Sequence, residues 1–176
     1  MQKWRGSVYN DAEYMGKYMY GLAVTLFFWP AHRALKSFFE RTLPGDRSGS
    51  YLEIGPGHGF YFMTAIAKTE FTKFVAIDIS EKSVAMTRDV IESGYFGTYS
   101  NYSVQCQDFL SADVDGEVFD ALVMGEVLEH VEDPGLFLRR IRSVTRADSY
   151  IYISTCMNAP AVDHLSLFTS AEELRG

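Results

Sequence analysis

Two carboxylates and an imidazole fall within five residues of the stretch GEVLEHVEDP, Gly125 to Pro134: Glu126, Glu129 and His130. On one turn of helix, positions i, i+3 and i+4 share a face. The spacing therefore predicts convergence of these three groups on one point. Oxygen and imidazole donors so arranged suit Mg²⁺, Mn²⁺, Fe²⁺ or Zn²⁺, and a closed site needs a further ligand, which His164 in DHLSLFT can supply. The competing reading is a solvated or hydrogen-bonded turn with no ion, in which His130 serves as a base or a structural group.

A second constellation precedes it. YLEIGPGHGF places Gly55, Gly57 and Gly59 directly after a β-branched run, where backbone must turn tightly and approach a ligand closely. Asp78 follows 19 residues after Gly59, a spacing at which an acid reaches two ribose hydroxyls. The loop is GxGxG rather than GxGxxG, and Glu53 lies two residues before Gly55. A carboxylate there repels a pyrophosphate but suits a cationic amino acid tail. The ligand so described is a nucleoside with a positive, unphosphorylated end, which is S-adenosylmethionine.

The elements that carry these groups alternate. Strands are expected over 51–54, 73–78, 102–107, 119–125 and 150–155. Helices are expected over 60–68, from Glu81 behind the N-cap Ser80, and after Asp133–Pro134, a capping residue followed by a residue suited to a first helical turn. Five such alternations imply an α/β fold: a Rossmann-like, mostly parallel sheet with helices on both faces. Residues 1–50 are aromatic-rich, with Tyr9, Tyr14, Tyr18, Tyr20, Phe27, Phe28 and Trp29. They read as an N-terminal helical cap and linker on a domain spanning 51–176.

Composition bounds the partners. The chain has 176 residues, 47% hydrophobic, enough for one domain with its own core. Its net charge of −7 argues against a phosphate-gripping nucleic-acid protein. Arg139, Arg140, Arg142 and Arg146 read as the solvated face of a helix. The longest apolar run, 18–30, is too short for a spanning helix, which needs about 20 residues. Cys106 and Cys156 show no CxxC pairing and are expected as core thiols, consistent with a cytoplasmic location. His32 and His58 have no partner that spacing suggests.

Over residues 51–174 the sequence resembles the class I S-adenosylmethionine-dependent methyltransferases. LEIGPGHG is similar to their first motif. The resemblance implies that Glu53, Gly55, Gly57 and Gly59 surround the methionine part, that Asp78 takes the ribose and that Ile79 lies beside the adenine. It further implies that Asp108 in QDF accepts from the adenine amino group, that Phe109 flanks the ring, and that the Gly125–Glu126 backbone runs along the cofactor. The ExxEH set with a later His resembles the metal ligands of RNA 3′-terminal ribose methyltransferases: Glu126, Glu129, His130 and His164. The EVLEHV motif also resembles the ubiquinone-biosynthesis O-methyltransferases. Such enzymes normally end in an antiparallel strand pair after a helix beginning near SAEELRG. That pair is absent from these 176 residues, so the domain reads as C-terminally incomplete, and a homodimer or partner chain is expected to cover the edge.

The expected function is methyl transfer to a small-molecule oxygen, with S-adenosylhomocysteine as product and His130 as base. Two alternatives stay open: a metal-assisted RNA ribose 2′-O-methyltransferase, and a non-catalytic cofactor-binding partner subunit.

Overall fold

The computed structural model describes residues 12–114, 116–160, 164–170 and 172–173, omitting the side chains of 12–15. Two helices, α1 (Ala12–Phe28) and α2 (Pro30–Thr42), precede the sheet. Then follow β1 (Ser50–Ile54), α3 (Phe60–Lys68), β2 (Lys73–Asp78), α4 (Glu81–Glu92), β3 (Tyr102–Cys106) and β4 (Phe119–Gly125). A short 3-10 turn (Leu128–His130), α5 (Pro134–Ser143) and β5 (Thr145–Ser154) complete the order. Tyr9 and most of the helix expected over 170–176 lie outside the described residues.

All five strands pair in parallel, in the order β3-β2-β1-β4-β5. The α/β, Rossmann-like expectation is met. Strand residues alternate between two cores because successive side chains point to opposite faces. Tyr51, Phe74, Val104 and Val123 join Phe62 of α3 and Phe39 of α2 on one face. Leu52, Ile77, Leu122 and Met124 join Ile141 of α5 and Leu128 on the other. A strand buried on both faces must be apolar almost throughout, which accounts for the FDALVMG run of β4.

Local chemistry sets the helix starts. Ser80 Oγ accepts from Ser83 N at 3.3 Å, and Asp133 Oδ1 from Leu136 N at 2.9 Å with Pro134 following. One strand is longer than expected: β5 begins at Thr145 rather than Tyr150, with a register irregularity opposite Phe119–Ala121. The polar RADS segment joins the ladder because Arg146 pairs with Asp120 at 2.8 Å and Ser149 Oγ donates to Phe119 O. Arg146 is thus a strand residue. Arg140 also departs from the solvated-face expectation, donating to Ala112 O at 2.9 Å.

The chain order reverses between β1 and β4, so a crevice opens at their carboxyl ends, where such sheets bind ligands. On one side of it α1 packs on α4, with Met19 against Met86.

Candidate functional site at the carboxyl edge of the sheet

The glycine loop leaves β1 with Gly55 at φ +67°, its N–H donating to Ile77 O at 2.8 Å. A side chain there would start 2.6 Å from Val127 Cγ2, so the loop closes against the β4 exit only with glycine. Gly59 caps α3 at φ +79°, and an added Cβ would lie 3.0 Å from the Thr87 backbone. This absent Cβ is what allows α3 and α4 to approach, leaving the first amides of α3 at the crevice.

Three acids surround this loop. Glu53 is 2% exposed on β1, and Tyr51 Oη donates to its Oε2 at 2.6 Å. Burial pushes its carboxyl up to about 8, opposed by the Tyr51 bond and by Phe62 N–H. Asp78 at the end of β2 accepts from Ser80 N at 2.8 Å and Gly57 N at 3.3 Å. Burial still raises it to about 6. Glu126 is raised by burial and then by Glu129. No Lys or Arg ion pair reaches any of the three among the described residues. A crevice lined by desolvated acids that no described Lys or Arg pairs with is electrostatically matched to a cationic ligand.

Ile79 and Asp108 reach the same edge because β2 and β3 end side by side, Asp78 opposite Cys106. Ile79 is 66% exposed, an unusual state for an isoleucine and suited to an aromatic ligand face. Asp108 is exposed, with Oδ1 accepting from Leu110 N at 3.0 Å. Phe109 differs from expectation. It is 3% exposed and packs on Phe137 at 5.9 Å between ring centroids, so its ring serves the core and not the crevice. Gly125 lies opposite Ser154 in the ladder, and a Cβ there would meet Tyr61 Cε2 at 3.0 Å.

The ExxEH segment is not a helical turn. Glu126 has φ +53°, and the 3-10 turn starts only at Leu128. The helical geometry is lost because the chain bends at Glu126 as it leaves β4, yet the Glu126 and Glu129 carboxyls still meet side by side. Buried Glu129 is also drawn into the fold: Thr155 Oγ1 donates to its Oε2 at 2.7 Å, and Leu165 and Ser166 N–H donate to its carbonyl. Ligand atoms of Glu129, Cys156 and His164 lie within 4.8 Å of one another, while Glu126 and His130 are outside that group. The His130 ring is edge-on to His164, with centroids 5.0 Å apart. Glu126 Oε1 and Ser154 Oγ are buried without a well-formed hydrogen bond among the described residues, although the Glu126 carboxyl lies beside both Ser154 and Glu129.

Sequence reading missed Ser154, Thr155 and Cys156. The available signal was a run of polar residues at the carboxyl end of a strand. Neither cysteine is a core thiol: Cys106 is exposed, and Cys156 is half-buried beside Glu129. The two remaining histidines do have partners. His32 Nδ1 is 2.6 Å from Thr25 Oγ1 and its ring stacks on Trp29. His58 Nδ1 accepts from Phe60 N, and burial, then His32, lowers its pKa to about 4.

A family model described as a methyltransferase domain matches residues 30–174. The chain belongs to that family, the class I S-adenosylmethionine-dependent methyltransferases. The ubiquinone biosynthesis O-methyltransferase of Xanthomonas campestris pv. campestris strain B100 is 31% identical over 125 residues, covering 71% of this chain and 49% of the relative. The chain thus spans about half the length of the curated relatives it matches. YcgJ of Bacillus subtilis superposes with a TM-score of 0.67 at 15% identity, over 82% of this chain and 65% of that one. The N-methyltransferase NodS of Bradyrhizobium japonicum, solved with S-adenosylhomocysteine, gives 0.52 at 20% identity over 68% and 55%. These two likenesses concern the fold. Among the described residues no helix of this methyltransferase domain is long and apolar enough to cross a membrane.

Proposed function

We propose that this chain transfers the methyl group of S-adenosylmethionine to an oxygen of a small-molecule acceptor, at the carboxyl ends of β1 and β4. The observation that carries this reading is the set of buried acids around the glycine loop, Glu53, Asp78 and Glu126, none of which pairs with a Lys or Arg among the described residues. Bound S-adenosylmethionine supplies a methyl on a cationic sulfur, which becomes neutral S-adenosylhomocysteine once the acceptor oxygen has taken the methyl.

Each protein group then has a task. Glu53 holds or orients the cationic amino end, and a neighbouring cation draws it into its ionised form. Gly57 and Gly59 let backbone approach the methionine part. Asp78 takes the ribose hydroxyls, Ile79 lies against the adenine, and Asp108 accepts from the adenine amino group. The Gly125 backbone borders the cofactor. His130, half-buried where β4 exits, removes the acceptor's hydroxyl proton. Alignment of oxygen, methyl and sulfur contributes most of the acceleration. The oxygen preference rests on the O-methyltransferase relative. The helices that precede β1 act as a cap beside this crevice, and the unpaired thiols suit a reducing compartment.

Calorimetric titration with S-adenosylhomocysteine tests the cofactor site, with micromolar affinity expected and no heat at any concentration counting against it. His130→Gln should keep that affinity and lower turnover about 10²- to 10⁴-fold, the range of general base catalysis. Unchanged turnover removes His130 from the chemistry.

A metal-assisted version is favoured by one observation, the proximity of Glu129, Cys156 and His164. Carboxylate, thiol and imidazole donors suit Zn²⁺ or Fe²⁺ better than Mg²⁺. These three residues would hold the ion, which would lower the pKa of an acceptor hydroxyl. Metal analysis of the purified protein and of Cys156→Ser distinguishes this version: bound zinc or iron lost in the variant supports it, and a metal-free wild type rejects it.

A further inference from the structure

α1 carries apolar side chains on nearly every face, a pattern expected of a helix covered all round. Yet Tyr20, Val24, Phe27 and Phe28 are exposed at helical spacing, and Trp29 extends the stripe into the turn before Pro30. Phe28 is 79% and Trp29 58% exposed. Together these five side chains present on the order of 600 Å² of apolar surface, at the upper end for a monomer.

Positive charge borders the patch. Arg33 and Lys36, one turn into α2, line a groove of about 440 Å³ with Leu26, Phe27 and Ser37. Arg33 has no acidic partner among the described residues. Lys36 is half-buried: it shares the carboxylate of Glu40 with Lys68, at 3.4 and 3.3 Å. Its Nζ stands 5.2 Å from the Phe60 and 5.7 Å from the Phe27 ring centroid, which leaves Arg33 as the exposed cation of the pair. Residues 16–42 hold Lys17, Arg33, Lys36 and Arg41 against Glu40, in a chain of net charge −7. The apolar stripe thus lies in a locally basic part of an acidic protein; in the other such segment, 139–146, two of the four arginines are paired with Asp133 and Asp120. A second copy docking about a two-fold axis would set these cations against their own equivalents. A surface of lipid phosphates would take them.

We propose that the α1–α2 turn docks on an anionic phospholipid bilayer, Phe28 and Trp29 entering at the headgroup level and the exposed Arg33 binding lipid phosphate. Aromatic residues favour that depth, and cations with flexible stems reach outward from it. α1 has 17 residues, short of the about 20 a spanning helix needs, so the proposed contact is interfacial. This inference does not depend on the methyl-transfer reading.

The test is co-sedimentation of the full chain with phosphatidylcholine vesicles, with and without phosphatidylglycerol. In parallel, Trp29 emission is read in a Trp4→Phe background. The chain should sediment with the anionic vesicles only, with a blue shift of Trp29 that salt reverses. Phe28→Ser with Trp29→Ser should lower partitioning at least about tenfold, and Arg33→Glu about tenfold. These side chains are exposed, so unchanged thermal unfolding of the variants shows that folding is intact. Absence of vesicle binding overturns the proposal, as does equal binding to neutral vesicles that Arg33→Glu leaves unchanged. A vesicle-independent blue shift that accompanies dimerisation overturns it in favour of a second copy.

Discussion

Replacing Glu53 by Gln tests the electrostatics of the site most directly. The Glu53 carboxyl ionises near 4.5 in an unfolded chain and near 8 in the fold, where burial opposes its charge. The native state therefore holds this proton more tightly than the unfolded state. Its contribution to stability is full below about pH 4.5 and is lost as pH rises toward about 8. Each pH unit inside that window costs about 1.4 kcal/mol, and the whole window about 5 kcal/mol. Glutamine keeps the shape and neutrality of the protonated acid and an oxygen for Tyr51 Oη, but it does not titrate. Denaturant unfolding of both proteins from about pH 5 to 9 should show wild type losing about 1.4 kcal/mol per unit relative to Glu53→Gln, levelling off near 8. Asp78 titrates in both proteins, and because its charge adds to the rise at Glu53 the difference also carries the coupling between the two acids. Saturating S-adenosylhomocysteine should flatten the wild-type slope, because its ammonium group stabilises the carboxylate. Parallel curves for wild type and variant would show that Glu53 is already ionised in the empty fold, and the cation-matched crevice would lose its main support.

Three further outcomes follow from the same geometry. Binding of S-adenosylhomocysteine near pH 7 should release close to one proton, read by calorimetry in two buffers of different ionisation enthalpy. No buffer dependence would place the ammonium away from Glu53. Asp78→Asn should weaken that binding about ten- to a hundredfold, the range for charge-assisted hydrogen bonds, and an unchanged affinity would remove Asp78 from the ribose. Gly59→Ala combines a side chain at φ +79° with a Cβ 3.0 Å from the Thr87 backbone. It should cost about 1–3 kcal/mol and lower Tm by roughly 3–10 °C, and a wild-type melt would show that α3 and α4 separate at no cost.

Strand and helix identities were legible in the sequence because each depends on local pattern. The unbroken apolar run at 119–125 needed burial on both faces and became the central strand β4. Ser80 and Asp133 marked helix starts, since a short side-chain acceptor meets a free amide within its own turn. Glycines 55, 57 and 59 marked a tight turn after β1, and in the fold all three take positive φ. With the strands assigned, their parallel order brought Gly55, Asp78, Ile79, Asp108 and Gly125 to one edge.

Which side chains meet at that edge was decided by tertiary structure. Helical spacing grouped Glu126 with Glu129 and His130, but positive φ at Glu126 broke the turn, and Glu129, while still beside Glu126, also meets Thr155, Cys156 and His164. Those residues lie 26 to 35 positions further along the chain, beyond the reach of any local periodicity. Phe109 followed the expected acid in sequence, yet the space beside Phe137 and Arg140 took its ring inward. The exposure of the α1 stripe was equally hidden, since composition records that residues are apolar but not which neighbours remain to cover them. The sequence by itself determined the elements and the edge they form. Long-range register and the backbone bend after β4 determined which acids, thiol and imidazoles share a site, because side chains converge only once distant strands have fixed one another's ends.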